Sequence, residues 1–344
     1  MKLIYDLSFD ALQDMLKSWG EPEYRATQIW EGMYKHLYEA PEEFTTLPLD
    51  LRKRLKENFK FKSFEPIIHA YSQDGETEKV LLKTDDDRQI ETVLMYYDKR
   101  RTVCISTQSG CAMGCVFCAT GQMGFLGNLS RGEIVEQVLY FARKLSTMDD
   151  RISNIVTMGM GEPFQNYNAT MDALDILNHP GGFNLGSRRI TLSTVGIIPM
   201  IERFTQEARN FNLAISLHAA TNELRNQLVP INRKYPIEDL LRTCNDYISR
   251  SGRRISYEWA LINGVNDGIE QAQKCADLLK GSICHVNLIP LNPTEGYTSV
   301  ATNQKTAIAF RDLLQSKGIP TTIRLRRGID IHAGCGQLAG QTRD

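Results

Sequence analysis

The sequence predicts an α/β fold: a parallel sheet with helices on its outside, preceded by a small helical module. Three observations carry this. Apolar strand-like runs at residues 103–106, 155–158, 189–193, 213–217, 255–261 and 286–289 alternate with helix-length segments, the pattern of consecutive β-α units. Cysteine and polar residues gather at or just beyond the carboxyl ends of those runs, the edge where barrel active sites form. Residues 1 to about 70 keep helical spacing instead.

In chain order, Leu12, Met15, Leu16 and Trp19 share one helical face before Gly20, and Ile29, Trp30, Met33 and Tyr34 repeat the pattern. Residues 1–70 therefore read as an N-terminal helical domain. Residues 79–83 and 90–95, parted by the turn-rich 84–87, suggest a hairpin within an extension at 71–100. The core spans 101–325. Within it, Ser130 and Glu133 form a capping-box pattern ahead of Ile134, Val135, Val138 and Leu139. The loop holding Cys111 follows the first run and Gly159–Pro163 the second. Ser193 ends the third, Ser216, Leu217 and His218 the fourth, and Asn292 lies just past the sixth. These groups should converge on one cleft. A C-terminal segment, 326–344, carries Cys335.

With 344 residues, 42% of them hydrophobic, the chain can bury a full-size core. No apolar run reaches membrane-spanning length, and the start turns acidic before a signal-peptide core could form, so a cytoplasmic location is expected. Eight cysteines in a chain this long are too sparse for a disulfide-stapled secreted domain. Cys244, Cys275 and Cys284 read as buried structural thiols. A net charge of −1 gives no long-range attraction for a polyanion. Any nucleic-acid contact must come from local patches: Arg52–Arg54 with Lys56, Lys60 and Lys62; Arg324, Arg326 and Arg327; and the pairs Arg188-Arg189 and Arg253-Arg254.

Cys111, Cys115 and Cys118, spaced C-x3-C-x2-C, supply three thiolates from one loop. Ferredoxin-type cubanes close with four cysteines and structural zinc sites with four ligands, so three leave a position open. On the residues alone two readings stand: a zinc knuckle completed by His218 or Cys335, or a cluster with one free iron. The spacing, with Phe117 and the glycine-rich exit Gly121–Phe125, resembles the radical S-adenosylmethionine (SAM) enzymes. That resemblance implies a partial, six-unit (β/α) barrel, and a [4Fe–4S] cluster on the three cysteines whose free iron chelates SAM. Gly161 and Glu162 then match the family's glycine-glutamate motif, with Glu162 pairing the SAM ammonium. Ser193, Ser216, Leu217, His218 and Asn292 fall where further SAM contacts lie. A histidine at a strand end is otherwise an ordinary satisfied polar residue.

Taken together, 24–29, 91–93, the cysteine loop, 159–163, 288–293 and the segment around Cys335 resemble the RlmN/Cfr family of radical-SAM RNA adenine methyltransferases, from near residue 20 to the end of the chain. The resemblance implies a reaction using two SAM molecules per turnover. One methylates Cys335; the second yields a 5′-deoxyadenosyl radical that takes hydrogen from that S-methyl group, and the carbon radical adds to adenine. Glu91 matches the proton acceptor and Cys104 the thiol that releases the product through a transient Cys104–Cys335 disulfide. Without the resemblance, Glu91 reads as an exposed hairpin carboxylate and the two cysteines as unrelated thiols.

Family substrates are adenosine 2503 of 23S rRNA and, in the RlmN branch, adenosine 37 of certain tRNAs, with flavodoxin expected as reductant. Pro163 resembles the C2-methylating RlmN branch more than the C8-methylating Cfr branch. An iron–sulfur redox regulator and a zinc-stabilised RNA-binding protein are the readings from other classes. The regulator gives no role to the Cys104 and Cys335 pair or to the glycine-glutamate turn, and the zinc protein would show zinc without iron after anaerobic purification.

Overall fold

In the computed structural model, which describes residues 1–340, strand β1 (Lys2–Leu3) leads into helices α1 (Phe9–Ser18), α2 (Tyr24–Tyr34) and α3 (Leu49–Asn58). The Ser8 side chain accepts the Ala11 N–H and starts α1, satisfying one of the orphan donors of its first turn. The helices bury Leu12, Leu16, Ile29, Trp30, Met33, Leu51 and Leu55 together. Strand β2 (Phe59–Lys60) then pairs with β1 in parallel.

Residues expected at the end of the helical domain instead form strand β3 (Phe64–Tyr71). Its residues are mostly exposed, and Pro66 sits at a register shift against β4 (Thr77–Thr84). Proline is tolerated in just such an edge position, so the proline that weakens a strand reading marks the sheet's border. β4 and β5 (Gln89–Tyr97) make the expected hairpin, and β5 continues antiparallel onto β6 (Arg100–Cys104).

A short antiparallel pair, β7 (Gln108–Gly110) and β8 (Phe125–Asn128), brackets the cysteine loop and α4 (Ala119–Gln122). Beyond it, α5 (Arg131–Ser146), β9 (Asn154–Val156), α6 (Tyr167–Asn178), β10 (Ile190–Thr194), α7 (Ile198–Gln206) and β11 (Asn212–Ser216) alternate. Helices α8 (Asn222–Leu228) and α9 (Ile237–Ser251) precede β12 (Ile255–Leu261). The core closes with α10 (Ile269–Leu278), β13 (Cys284–Pro290), α11 (Gln304–Ser316) and β14 (Thr321–Ile323).

One sheet of ten strands runs β14-β13-β12-β11-β10-β9-β6-β5-β4-β3. From β6 to β14 every neighbour is parallel, so six β-α units form the partial barrel. Parallel neighbours need long crossovers, and the helices supply them. Leu192, Leu213, Ile215, Tyr257 and Leu288 are buried along the strands, each such side chain contributing roughly 1.5–3 kcal/mol.

The capping box on α5 forms as its sequence predicts: the Ser130 side chain accepts the Glu133 N–H, and the Glu133 carboxylate accepts the Ser130 N–H. The far face of α5 is covered by the N-terminal domain. The Gly132 N–H donates to Asp6, Arg143 donates to the Tyr5 hydroxyl, and Glu136 accepts both the Ser63 N–H and its hydroxyl. No helix among the described residues is long and apolar enough to cross a membrane. Residues 341–344, the end of the expected C-terminal segment, lie outside the described residues.

Candidate active site

The carboxyl ends of the parallel strands surround an open cleft. Cys111, Cys115 and Cys118 form one wall. Gly161 and Glu162 come from the loop after β9, Ser193 and Ser216 from the ends of β10 and β11, and His218, Asn292 and Cys335 complete the lining. Nine of the ten residues expected to hold the cluster or SAM thus meet here.

Leu217 is the exception. It is fully buried in the hydrophobic core and does not line the cleft, because side chains alternate at the end of the strand and its neighbour Ser216 takes the cleft side. Its carbonyl instead accepts from Arg225, a buried arginine that also donates to the carbonyls of Val195 and Ser216. This brace from α8 to the ends of two strands was not legible in sequence, where Arg225 reads as one more helix charge.

The cysteine loop is tied to the C-terminal segment. The Ala119 N–H donates to the Gly336 carbonyl and the Thr120 hydroxyl to the Leu338 carbonyl, which places Cys335 over the loop. Burial pushes the Cys111 thiol up to about 12 and the Cys115 thiol well above its ordinary value, so ionisation there calls for a bound cation. No three His, Cys, Asp or Glu side chains among the described residues converge closely enough to hold one metal ion. A single zinc draws its ligands onto one point, whereas a cubane takes each thiolate on a different iron. Three separate thiols on the wall of the cleft fit the cluster better than they fit the zinc knuckle.

Close approach explains the glycines after β9. A Cβ at Gly159 would come within 2.7 Å of the Ile105 carbonyl oxygen, and one at Gly161, where φ is +97°, within 2.5 Å of Gln108. The turn aims Glu162 inward. Its carboxylate accepts the N–H groups of Phe164 and Val195, both at 2.9 Å, while burial raises its pKa to about 7. A cationic ligand would stabilise the ionised form.

His218 adopts φ +60°, a strained conformation for a non-glycine residue. Nδ1 accepts the Ala260 N–H at 2.9 Å, the carbonyl accepts from Asn266, and the Phe117 ring meets the imidazole edge-on at 4.9 Å. Burial lowers its pKa to about 3. The ring is therefore neutral, with Nε2 carrying the proton.

A second cavity is lined by Cys104, Cys335, Asn292, Glu258 and Arg324. Cys104 and Cys335 are both free thiols; the expected disulfide is not formed in this structure. They stand close enough that ionisation of Cys335 would raise the pKa of Cys104, which burial already raises. Cys335 is open to solvent at the cavity, yet the enclosing walls push its thiol up while Arg324 pulls it back. The Asn292 side-chain amide donates to the Cys335 carbonyl at 3.0 Å. Glu258, buried on β12 between the two cavities, was missed in sequence. The available signal was a lone carboxylate inside an apolar strand.

Glu91 corrects the exposed-hairpin reading. It is 2% exposed, paired with Lys79 and held by the N–H groups of Ala339 and Gly340. It lines neither cavity, lying instead beneath the segment that carries Cys335.

The basic patches differ from one another. Lys53, Lys56, Lys60 and Lys62 pair with Glu57, Glu42, Asp85 and Glu39, and Arg54 stacks on Trp19, so most of the N-terminal patch is internally neutralised. Arg324 and Arg326 are exposed at the second cavity, beside Arg100 and Arg327, which both stack on Tyr97.

Residues 105–276 match the model of the Radical SAM superfamily, and residues 3–61 match that of the ribosomal RNA large subunit methyltransferase N-terminal domain. Over 335 residues the chain is 46% identical to dual-specificity RNA methyltransferase RlmN 1 of Myxococcus xanthus, with 97% of this chain and 93% of that one covered. It is 44% identical over 340 residues to a probable dual-specificity RNA methyltransferase RlmN of Bacillus subtilis, covering 99% and 93%. The crystal structure of a radical SAM methyltransferase from Sphaerobacter thermophilus shares the fold at a TM-score of 0.97 and 46% identity, covering 99% of this chain and all of that one.

Proposed function

Because the chain belongs to the RlmN family of radical-SAM RNA methyltransferases, we propose that it methylates carbon 2 of adenosine 2503 in 23S rRNA and of adenosine 37 in tRNA, using Cys335 as methyl carrier. The observation that carries this reading is the position of Cys335. It lines both the cleft of the three cysteines and the cavity that holds Cys104.

Cys111, Cys115 and Cys118 would hold the [4Fe–4S] cluster, and Glu162 would hold the SAM ammonium. Bound there and reduced by a one-electron donor such as flavodoxin, the cluster makes SAM a source of a hydrogen-abstracting radical. Cys335 takes a methyl group by displacement from a first SAM, which needs only its thiolate. After loss of a hydrogen atom, the same methyl carbon bonds to the electron-poor ring carbon of adenine, which cannot attack SAM as a nucleophile. Once the adduct has lost the ring proton and its unpaired electron, which the oxidised cluster would take back, Cys104 attacks the Cys335 sulfur. The C–S bond breaks with its electron pair on the methylene carbon, which takes a proton to become the product methyl group, and the Cys104–Cys335 disulfide left behind must be reduced before the next turnover. Such a bond in a cytoplasmic enzyme is catalytic. Glu91 takes the ring proton, which requires the Ala339–Gly340 segment to yield its hold on the carboxylate. Arg324 and Arg326 stand where they would grip the phosphates flanking a base drawn from its stack.

The test is product analysis. After anaerobic turnover on rRNA fragments and tRNA, digestion to nucleosides and chromatography against both isomers should yield 2-methyladenosine. 8-Methyladenosine as main product would replace this reading with the Cfr-type reaction.

A further inference from the structure

Glu258 occupies a position where its strand otherwise buries apolar groups. Tyr257, Trp259 and Leu261 are fully buried, and Glu258 itself is 4% exposed. One carboxylate oxygen accepts from the Asn287 side chain at 2.8 Å; the other, Oε2, is buried without a hydrogen-bond partner. No described Lys or Arg forms an ion pair with it, Arg324 acting only through space. An unpaired buried carboxylate oxygen is destabilising, and an apolar side chain would pack there more favourably. Such an oxygen calls for a ligand that brings a hydrogen-bond donor.

The position of Glu258 narrows the ligand. It lines the cleft and the second cavity, as Cys335 does. Glu162 already supplies a carboxylate for a cationic ligand on the cleft side. The acceptor base must meet Cys335 and Cys104 together, which puts it on the side that Glu258 shares with them. Adenine offers an exocyclic amine as donor, and an extruded base is read along its hydrogen-bonding edge. The last torsion of a glutamate is soft, so Oε2 can turn into the cavity.

We propose that Glu258 accepts a hydrogen bond from the exocyclic amine of the target adenine and thereby selects adenine over purines that lack it. This rests on the substrate reading above. A site built to pair with a polar group rejects analogues without that group strongly, because its own buried atom is left unsatisfied.

The experiment compares wild type, Glu258→Gln and Glu258→Ala on RNA carrying adenosine, purine riboside or inosine at the target position, reading kcat/KM under single-turnover conditions. Removing the amine also changes ring reactivity, but that change is common to all three enzymes and cancels in the ratio. The preference for adenosine over purine riboside should fall by roughly 10- to 100-fold in both variants. Glu258→Gln keeps an acceptor for Asn287 and presents an amide N–H2 in place of Oε2, so it should gain on inosine, whose 6-oxo group accepts. An unchanged preference, or equal losses on adenosine and purine riboside, would overturn the assignment and leave the substrate reading standing. Wild type that fails to modify adenosine RNA would overturn the substrate reading and this assignment with it.

Discussion

Lys79 and Glu91 lie diagonally across the β4–β5 pair, with the ammonium 2.6 Å from Oε1 of the carboxylate. The other oxygen, Oε2, accepts the N–H groups of Ala339 and Gly340, so one buried side chain joins the antiparallel extension to the segment carrying Cys335. This contact gives Glu91 a holding role, which is separate from the ring-proton transfer proposed for it.

The two roles separate in Glu91→Gln and Glu91→Ala. The glutamine keeps a carbonyl for the two N–H groups but is no base. If Glu91 is the proton acceptor, both variants lose RNA methylation by roughly 100-fold or more while Cys335 still becomes methylated, as intact-protein mass would show. Near-normal turnover by Glu91→Gln would leave only the holding role.

Replacing Cys111, Cys115 or Cys118 by alanine should remove one iron ligand and with it the cluster. Iron and sulfide analysis after anaerobic reconstitution should show the loss, and SAM cleavage should vanish on the same samples. Full RNA methylation by any of the three variants would contradict the cluster assignment.

Cys104→Ala should bind the cluster, methylate Cys335 and form the carbon–carbon bond, since none of those steps uses Cys104. Release fails, because no thiolate remains positioned against the Cys335 sulfur. A denaturing gel should show a ribonuclease-sensitive protein–RNA band, absent in Cys104→Ala/Cys335→Ala. Multiple turnover without that band would make Cys104 a packed strand residue.

Glu136 predicts a pH dependence of stability. Burial between α5 and the N-terminal domain raises its pKa from 4.5 to about 7, although Ser63 donates to it twice. The folded protein then keeps a proton that the unfolded chain releases between those values, so this group lowers stability as pH rises from about 4.5 to 7 and costs a constant amount above. Glu136→Gln should be near-neutral at pH 4.5 and gain up to about 3 kcal/mol relative to wild type at pH 8. Denaturant unfolding at several pH values measures it, and a gain independent of pH would refute it.

The local features were legible in the sequence because they are set by spacing along the chain. The cysteine loop, the capping box at Ser130, the β4–β5 hairpin and the polar residues at strand ends each depend on neighbours a few residues apart. Parallel strands with regular crossovers bring those ends to one edge, so Glu162, Ser193, Ser216 and His218 reach a single cleft. Strand β3 escaped because its exposed, proline-interrupted pattern carries no core-facing run.

Tertiary structure decided what depends on residues far apart in sequence. Glu91 looks exposed in its hairpin and is buried only because residues some 250 positions later close over it. Arg225 is a brace only where α8 meets the ends of β10 and β11. Glu258 becomes a shared wall, and Cys104 a neighbour of Cys335, through the register of strands that chain order does not encode. A carboxylate or thiol takes its chemical character from the charges, donors and water around it, and those surroundings exist only once the sheet has closed.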